Sequence, residues 1–258
     1  MFACMILNST YFKKRGTMND QTTFAGAATA VWDFEPEMIT LTEVLSPPRE
    51  NVAIHRDSVH DIVKRCTDVV FAFLGIVISL PLWALIALAV KLSSKGPVFF
   101  AQERAGLNGK SFRMFKFRSM VVDAEEQLKQ LVSIEDLAEP VYKIKNDPRV
   151  TRIGRLLRRF GLDELPQLLN VLRGEMSLVG PRPEVVKLVE RYNETERRRL
   201  LVKPGITGYQ QIHNRGMPDM AARLVYDFYY LRNRSNALDI WILGMTVFVI
   251  ASGKEITY

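Results

Sequence analysis

The sequence VVFAFLGIVISLPLWALIALAV, residues 69–90, holds 22 consecutive residues without a charge and decides how this chain must fold. A charge-free apolar run longer than about 18 residues is typical of a membrane helix. A buried helix of a soluble protein is the alternative, but such helices rarely lack polar positions over this length. The run therefore predicts a segment that enters a lipid bilayer.

Pro81 lies just past the middle of this run, and Ser79 precedes it by two residues. An interior proline removes a helix hydrogen bond and kinks the chain. Basic residues flank the run on both sides, and by the positive-inside rule they place both of its ends in the cytoplasm: Lys64, Arg65, Lys91, Lys95, Arg104, Lys110 and Arg113. These features predict a re-entrant helix-break-helix, broken at Ser79 and Pro81, although a kinked helix that spans the membrane explains the same pattern.

The rest of the chain indicates a folded protein with acidic or phosphorylated partners. Its 258 residues carry a net charge of +7 and a pI near 9.4, which suits nucleic acid, anionic lipid or phosphorylated small molecules. Two cysteines and three histidines match neither a disulfide framework nor a zinc spacing. Residues 1–60 predict a poorly ordered N-terminal extension, 61–95 the re-entrant membrane segment, and 96–258 a cytosolic domain.

Periodicity predicts that the cytosolic domain is α+β and mostly helical. The segment SFRMFKFRSM, residues 111–120, alternates in polarity and predicts a strand with Lys116 and Arg118 on the face opposite to Phe115 and Phe117. Helices are predicted at residues 123–134, 148–159, 163–172 and 183–199. The apolar stretch 240–251 is too short to span a bilayer and is predicted to lie at its interface or to pack in the core.

The segment LDELPQLLNVL, residues 162–172, contains the densest group of reactive side chains. Pro166 fits only the first turn of a helix, so Asp163 and Glu164 lie at a helix N-terminus, where such a pair can act simply as a cap. The helix dipole also keeps adjacent carboxylates ionised, so that one can attack phosphorus while the other holds Mg²⁺. The preceding basic helix, which includes Arg155, supplies positive charge for headgroups or substrate.

The segment GEMSLVGPRPE, residues 174–184, places Arg182 between two prolines. Each proline restricts its own backbone and that of the residue before it. An arginine on so stiff a backbone can present a bidentate fork to phosphate, although a surface turn with an incidental arginine has the same pattern. The glycines of KPGITGYQQ, residues 203–211, allow a close backbone approach to a ligand.

In this order, the segments resemble the catalytic domain of the monotopic phosphoglycosyltransferases, bacterial sugar transferases that initiate exopolysaccharide, capsule and O-antigen synthesis. The resemblance extends from about residue 64 to the C-terminus and is carried by the proline break and by residues 96–120, 147–184 and 203–211. It implies a re-entrant membrane helix and a catalytic site at the cytoplasmic face of the bacterial inner membrane.

The resemblance also implies roles for individual residues. Asp163 matches the nucleophile, Glu164 the Mg²⁺-binding partner and Arg182 a phosphate-binding arginine, while Lys116 and Arg118 match substrate contacts. The implied reaction has two steps: the aspartate displaces UMP from a UDP-sugar, and undecaprenyl phosphate, a polyprenol phosphate, then attacks the phosphosugar-enzyme. We expect Arg155 to contact substrate as well.

Two other functions fit part of the sequence. A membrane-tethered basic binding protein explains the arginines but not the carboxylate pair, and because aromatic residues are not interleaved with the basic run, no nucleic-acid partner is expected. A magnesium-dependent hydrolase of diphosphates would use similar carboxylates. The sequence leaves open which sugar is transferred and whether the protein forms a homodimer.

Overall fold

The structure, a computed structural model, describes residues 58–131, 147–213 and 220–252, together with Leu137 and Ile144. Its α-helices, in chain order, are α1 Ser58–Ser93, α2 Ala124–Leu131, α3 Arg152–Arg159, α4 Gln167–Arg173, α5 Val186–Glu190, α6 Glu194–Arg197, α7 Tyr209–His213, α8 Met220–Asn233 and α9 Asn236–Ala251. Its strands are β1 Phe99–Ala105, β2 Ser111–Phe117, β3 Ser177–Val179 and β4 Gly205–Thr207. The described fold is mostly helical with a small sheet part, as predicted.

Helix α1 contains the apolar run and begins three residues before the predicted membrane segment. By length and composition, Val59–Ser93 is able to cross a bilayer, and its most apolar 18-residue window has a mean hydropathy of 2.6. Only 11% of that window is buried within the protein. A core helix of a soluble protein would be mostly buried, so the exposure favours contact with lipid. The predicted N-terminal extension lies outside the described residues up to residue 57.

Helical structure continues through Pro81, so no loop interrupts α1 there, and the predicted break at Ser79 and Pro81 stays a prediction. The Ser79 hydroxyl donates to the carbonyl oxygen of Gly75 at 2.5 Å, and the Trp83 indole donates to the Ser79 hydroxyl at 2.9 Å. The proline removes one backbone donor, and side-chain hydrogen bonds with local helix adjustment allow a helix to tolerate that loss. No loop therefore separates the two halves of α1.

The N-terminal part of α1 is hydrogen-bonded to the domain that follows it in sequence. Arg65 donates to the carbonyl oxygens of Val171 and Leu172 at 2.6 and 2.9 Å, at the C-terminal end of α4. Cations stabilise a helix at this end because its last carbonyls lack backbone partners. The carboxylate of Asp68 accepts the backbone N–H of Leu178 in β3 at 2.9 Å. These bonds fix the start of α1 against α4 and β3.

The C-terminal part of α1 packs against the same domain through apolar contacts. Ile86 and Val90 form one buried cluster with Phe117 of β2 and Leu157 of α3. The Trp83 ring meets the Phe117 ring edge to face, with 5.5 Å between centroids. Edge-to-face aromatic pairs contribute about 0.5–1.5 kcal/mol beyond the area that they bury. Both ends of the apolar helix thus contact the domain that follows it in sequence.

The domain that follows α1 contains two small sheets. Strands β1 and β2 form an antiparallel hairpin, joined through a short 3₁₀ turn at Leu107–Gly109, and β3 pairs with β4 in parallel. The main core cluster lies under β3. It includes Met176 of the loop before β3, Tyr230 of α8 and Ile242 of α9. Strand β2, predicted for residues 111–120, ends at Phe117.

The predicted helix at residues 183–199 is instead two short helices, α5 and α6, followed by a 3₁₀ turn. Asn193 begins a new helix, because its side chain accepts the Glu196 N–H while the Glu196 carboxylate accepts the Asn193 N–H. Such a capping box satisfies two backbone donors at a helix start. The helical periodicity of this segment is therefore real, but it belongs to two separate helices.

Helix α9 packs in the core along one side, which is one of the two alternatives predicted for it. Leu238 and Ile242 pack in the core, whereas Val247 and Phe248 are 68% and 63% exposed. The helix buries one side and presents an apolar side outward, next to the polar contact that links Asp239 to Lys64 of α1 at 2.6 Å. An exposed apolar helix side is suited to a membrane interface.

Candidate active site

The carboxylate pair lies on a turn between α3 and α4. Gly161 ends α3 with a φ of +66°, a left-handed conformation that glycine adopts without strain, and a 3₁₀ turn follows at Leu162–Glu164. Leu162 and Leu165 pack against the Ile86 cluster of α1. The predicted helix at residues 163–172 therefore begins as this 3₁₀ turn, and α4 itself starts only at Gln167.

The two carboxylates of this turn have different surroundings. Glu164 accepts a hydrogen bond from Lys116 Nζ at 2.8 Å and lies 3.4 Å from Arg182 Nη2. Asp163 is 2% exposed, and its Oδ1 has no hydrogen-bond partner among the described residues. Buried polar atoms normally find a partner, and an unsatisfied one often marks a functional position. Asp163 thus combines burial with an oxygen that no described residue satisfies.

The charges around Asp163 oppose the effect of its burial. Burial raises the pKa of Asp163, and the negative charge of Glu164 raises it further, whereas Lys116, Arg158 and Arg182 lower it. Burial lowers the pKa of Lys116, and its contact with Glu164 acts in the opposite direction. The environment therefore leaves Asp163 harder to ionise than an ordinary aspartate, which is the pattern of a reactive buried carboxylate.

Arg118 and Arg155, both predicted to contact substrate, lie elsewhere. Arg118 donates to the carbonyl oxygen of Ser94 at 2.8 Å and to its hydroxyl at 3.0 Å, so it fastens β2 to the chain just beyond α1. Arg155 is exposed on α3. Among the described residues, the α3 arginine whose charge acts on Asp163 is Arg158.

Hydrogen bonds fix the backbone of the stiff segment around Arg182, at the residues before and after it. Arg104 donates to the carbonyl oxygen of Pro183 at 3.2 Å, and the N–H of Gly205 donates to that of Pro181 at 2.9 Å. The carbonyl oxygen of Arg182 itself accepts from Arg199 at 3.1 Å. The prediction that Arg182 sits on a rigid backbone is consistent with these contacts, which supply rigidity beyond that of the two prolines.

Arg199 belongs to a buried ionic network. Its guanidinium donates to Asp227 and to the Tyr192 hydroxyl, both at 2.8 Å, and lies 3.8 Å from Glu184. Arg223 pairs with the same Glu184 oxygen at 2.9 Å. Buried charges persist only when they are paired and hydrogen-bonded, and breaking such a pair is costly. The network therefore fixes the position of the Arg182 backbone through the bond from Arg199 to its carbonyl oxygen.

The sequence profile of the family described as Bacterial sugar transferase matches residues 59–253. This chain belongs to that family. It is 40% identical over 204 residues to the exopolysaccharide production protein ExoY of Rhizobium meliloti (strain 1021), covering 78% of this chain and 89% of the relative.

Two longer relatives each match about three quarters of this chain. The UDP-glucose:undecaprenyl-phosphate glucose-1-phosphate transferase of Escherichia coli (strain K12) is 44% identical over 198 residues, covering 74% of this chain and 40% of the relative. The undecaprenyl-phosphate galactose phosphotransferase of Salmonella typhimurium (strain LT2) is 42% identical over 193 residues, covering 73% and 40%. The chain thus spans about two fifths of the length of these two relatives.

The substrate contact predicted on the basic helix is Arg155, whereas the charge that acts on Asp163 from this helix is that of Arg158. A Cβ on Gly154 would lie 1.9 Å from the carbonyl oxygen of Ser119, so only glycine allows α3 to approach the chain after β2 this closely. Arg158 follows Gly154 by one helical turn and therefore lies on the same inner face, where it donates to the Ser119 hydroxyl at 2.9 Å. Arg155 points away from that face.

The glycines of residues 203–211 allow two backbones to pack closely, and their predicted approach to a ligand stays a prediction. A Cβ on Gly205 would lie 2.1 Å from the backbone nitrogen of Gly180, and one on Gly208 would lie 2.2 Å from the Gly180 carbonyl oxygen. The two backbones of the β3–β4 pair therefore touch directly at this point. Their contact places the segment that carries Arg182.

Proposed function

We propose that this protein transfers a sugar-1-phosphate from a UDP-sugar to undecaprenyl phosphate through a covalent intermediate on Asp163. The observation that carries the proposal is the buried Asp163 oxygen without a partner among the described residues, beside a Glu164 that is held by Lys116 and Arg182. The two longer relatives are named as a glucose-1-phosphate transferase and a galactose phosphotransferase that act on undecaprenyl phosphate, which supports the substrate class.

In the first step, an Asp163 oxygen attacks the phosphorus that carries the sugar. A bond forms between that oxygen and the phosphorus, the bond from the phosphorus to the bridging diphosphate oxygen breaks, and UMP leaves with the electron pair. Lys116 and Arg182 lie beside the carboxylate pair, where their N–H groups can donate to the phosphate oxygens. Fixed donors of this kind stabilise the charge that develops in the transition state.

In the second step, a phosphate oxygen of undecaprenyl phosphate attacks the same phosphorus. The new phosphorus–oxygen bond forms as the bond to Asp163 breaks, which regenerates the carboxylate and releases the sugar on undecaprenyl diphosphate. Arg158, whose charge acts on Asp163, and Lys116 favour the return of Asp163 to its ionised form. Dividing the transfer in this way replaces one difficult displacement by two easier ones.

The residues present are compatible with Mg²⁺. Within the described residues, no three metal-binding side chains cluster, but Mg²⁺ usually needs only one or two carboxylates in addition to substrate phosphates. Glu164, next to the unsatisfied oxygen of Asp163, would hold the ion together with the diphosphate of the UDP-sugar. When bound, the ion would neutralise charge on the diphosphate and on the departing UMP.

We also propose that α1 enters the inner membrane from the cytoplasmic face and returns to it, as in a monotopic protein. Arg65 and Asp68 at one flank bond to α4 and β3, and Ser94 at the other flank bonds to Arg118. A spanning helix would separate these flanks by about 30 Å of hydrocarbon, and the charged domain that touches both would then lie inside the bilayer. A cytoplasmic domain with both flanks on its surface avoids that cost.

Intact-protein mass spectrometry tests the covalent step. Wild-type protein mixed with a UDP-sugar, without lipid acceptor, should gain the mass of one hexose phosphate and release one equivalent of UMP. Asp163→Asn should show neither change, because a neutral amide is a poor nucleophile at phosphorus. The matched control is Asp123→Asn, an exposed aspartate outside the site, which should form the adduct normally. Free sugar phosphate without an adduct would favour the diphosphate hydrolase instead.

A further inference from the structure

A cavity of about 400 Å³ opens at the N-terminal end of α1. Its lining includes Lys64, Arg65, Asp68, Lys203 and Arg234, and it contains none of the residues of the carboxylate cluster. The volume falls within the range of pockets that bind small molecules. This cavity is therefore a candidate binding site separate from the catalytic one.

Two cationic groups converge in this cavity above Gly174. A Cβ placed on Gly174 would lie 3.5 Å from Arg65 Nη2 and 3.7 Å from Lys203 Nζ. Like charges brought this close repel each other, and burial together with the Arg65 charge lowers the pKa of Lys203. A negatively charged ligand between them would remove that repulsion.

No carboxylate among the described residues bonds to Lys203. Asp61 pairs with Arg234, and Asp68 accepts the Ser177 hydroxyl and a backbone N–H. Within the part of the chain that the structure describes, the Lys203 ammonium has neither a hydrogen bond nor an ion pair. Lys64, another cation of the lining, is 2.6 Å from Asp239 and is thereby neutralised.

Arg65 retains donors for a ligand. Its two bonds to carbonyl oxygens at the end of α4 use two of the five N–H donors of a guanidinium. Lys203 contributes three further donors. Together they form the mixed fork and point charge with which proteins often hold a phosphate group.

The position of the cavity favours a phosphate at a membrane surface. Arg65 precedes the charge-free run, which starts at Val69, by four residues, or roughly one helical turn. Basic residues at this level of a membrane helix meet lipid headgroups. We propose that the cavity binds one phosphate group, that of an anionic phospholipid or free phosphate, between Arg65 and Lys203. The lipid source rests on the proposed placement of α1, whereas phosphate binding itself does not.

Site-resolved acylation of lysines tests this proposal on the full chain. The rate of Lys203 labelling is measured by mass spectrometry in detergent with and without inorganic phosphate at matched ionic strength, and in nanodiscs of phosphatidylglycerol or phosphatidylcholine. Ligand at ten times its Kd should slow Lys203 labelling about tenfold by mass action. Lys116 monitors the catalytic cluster, and the exposed Lys187 serves as the unprotected control.

The arms identify the source of the phosphate. Protection in phosphatidylglycerol nanodiscs alone assigns the cavity to a lipid headgroup, and protection by inorganic phosphate in detergent assigns it to a free phosphate as well. Protection of Lys116 without Lys203 would place the anion only in the catalytic site and overturn the proposal, as would unchanged labelling in every arm. A second measurement is the rise in Tm caused by the protecting ligand, which Lys203→Gln should reduce and Lys187→Gln should retain.

Discussion

Replacing Asp163 by asparagine should abolish UMP release and at the same time make the protein more stable. The wild-type carboxylate is 2% exposed, and its Oδ1 has no partner among the described residues. Its pKa is raised in the folded protein, chiefly by burial, so folding disfavours the ionised form that catalysis requires. Asparagine keeps the shape of the side chain and removes the charge.

The magnitude follows from two opposing terms. Keeping a buried carboxylate ionised costs about 1.4 kcal/mol for every tenfold weakening of the acid, and asparagine carries no such charge. Lys116, Arg158 and Arg182 recover part of this through their attraction to the carboxylate, without reversing the direction of the pKa shift. We therefore expect Asp163→Asn to raise the free energy of unfolding by about 1 kcal/mol, which corresponds to roughly 2–4 °C in Tm for a domain of this size.

The pH dependence distinguishes this explanation from a general packing effect. A carboxyl group with a raised folded pKa binds more protons in the folded than in the unfolded state, so its unfavourable contribution appears as pH rises above the ordinary aspartate value and through the folded pKa. Thermal unfolding in detergent should thus show the gain of Asp163→Asn at pH 7.5 and a smaller gain near pH 4. Asp123→Asn should change neither value. An Asp163→Asn protein that is less stable than wild type at pH 7.5, or that still releases UMP, would refute this account of the site.

Three further predictions test the surroundings of the carboxylates. Arg182→Lys should slow UMP release about thirtyfold, since losing the guanidinium fork costs on the order of 2 kcal/mol in the transition state, and near-normal turnover would make Arg182 incidental. Asp227→Asn should lower stability by about 3 kcal/mol in thermal unfolding, because it leaves Arg199 buried with a weaker partner; an unchanged Tm would contradict the network. Single cysteines at Val59 and Lys95, both exposed, should be inaccessible to a reagent outside intact cells, and labelling of only one would show a spanning helix.

The sequence predicts the parts of the site that lie within short segments. Asp163 and Glu164 are neighbours, and Pro166 restricts the geometry of their turn, so local rules suffice to place them together. The proximity of Lys116 and Arg182 to Glu164 follows from the resemblance to a known family, because no periodicity relates these three positions. The structure is consistent with it, with nitrogen–oxygen distances of 2.8 and 3.4 Å.

The misplaced arginines depend on contacts between distant segments. Strand alternation predicts Arg118 on the same side of the chain as Lys116, but β2 ends at Phe117, and Arg118 bonds to Ser94 instead. Choosing between Arg155 and Arg158 requires knowing which side of α3 meets its neighbour. The Arg199 network joins residues up to 39 positions apart, and its charges resemble those of an ordinary solvated surface in the sequence.

A single buried amide explains how the two halves of the site keep their spacing. Asn170 of α4 is fully buried; its Oδ1 accepts the N–H of Phe115 at 3.0 Å, and its Nδ2 donates to the carbonyl oxygen of Arg113 at 2.8 Å. These bonds hold β2 against α4 on either side of Met114, two residues before Lys116, while the turn before α4 carries Glu164. Because one side chain satisfies backbone groups of another element, losing it would leave buried donors and acceptors unpaired. The distance between Lys116 and Glu164 is thus set by hydrogen bonds between α4 and β2 as well as by the attraction between the two charges.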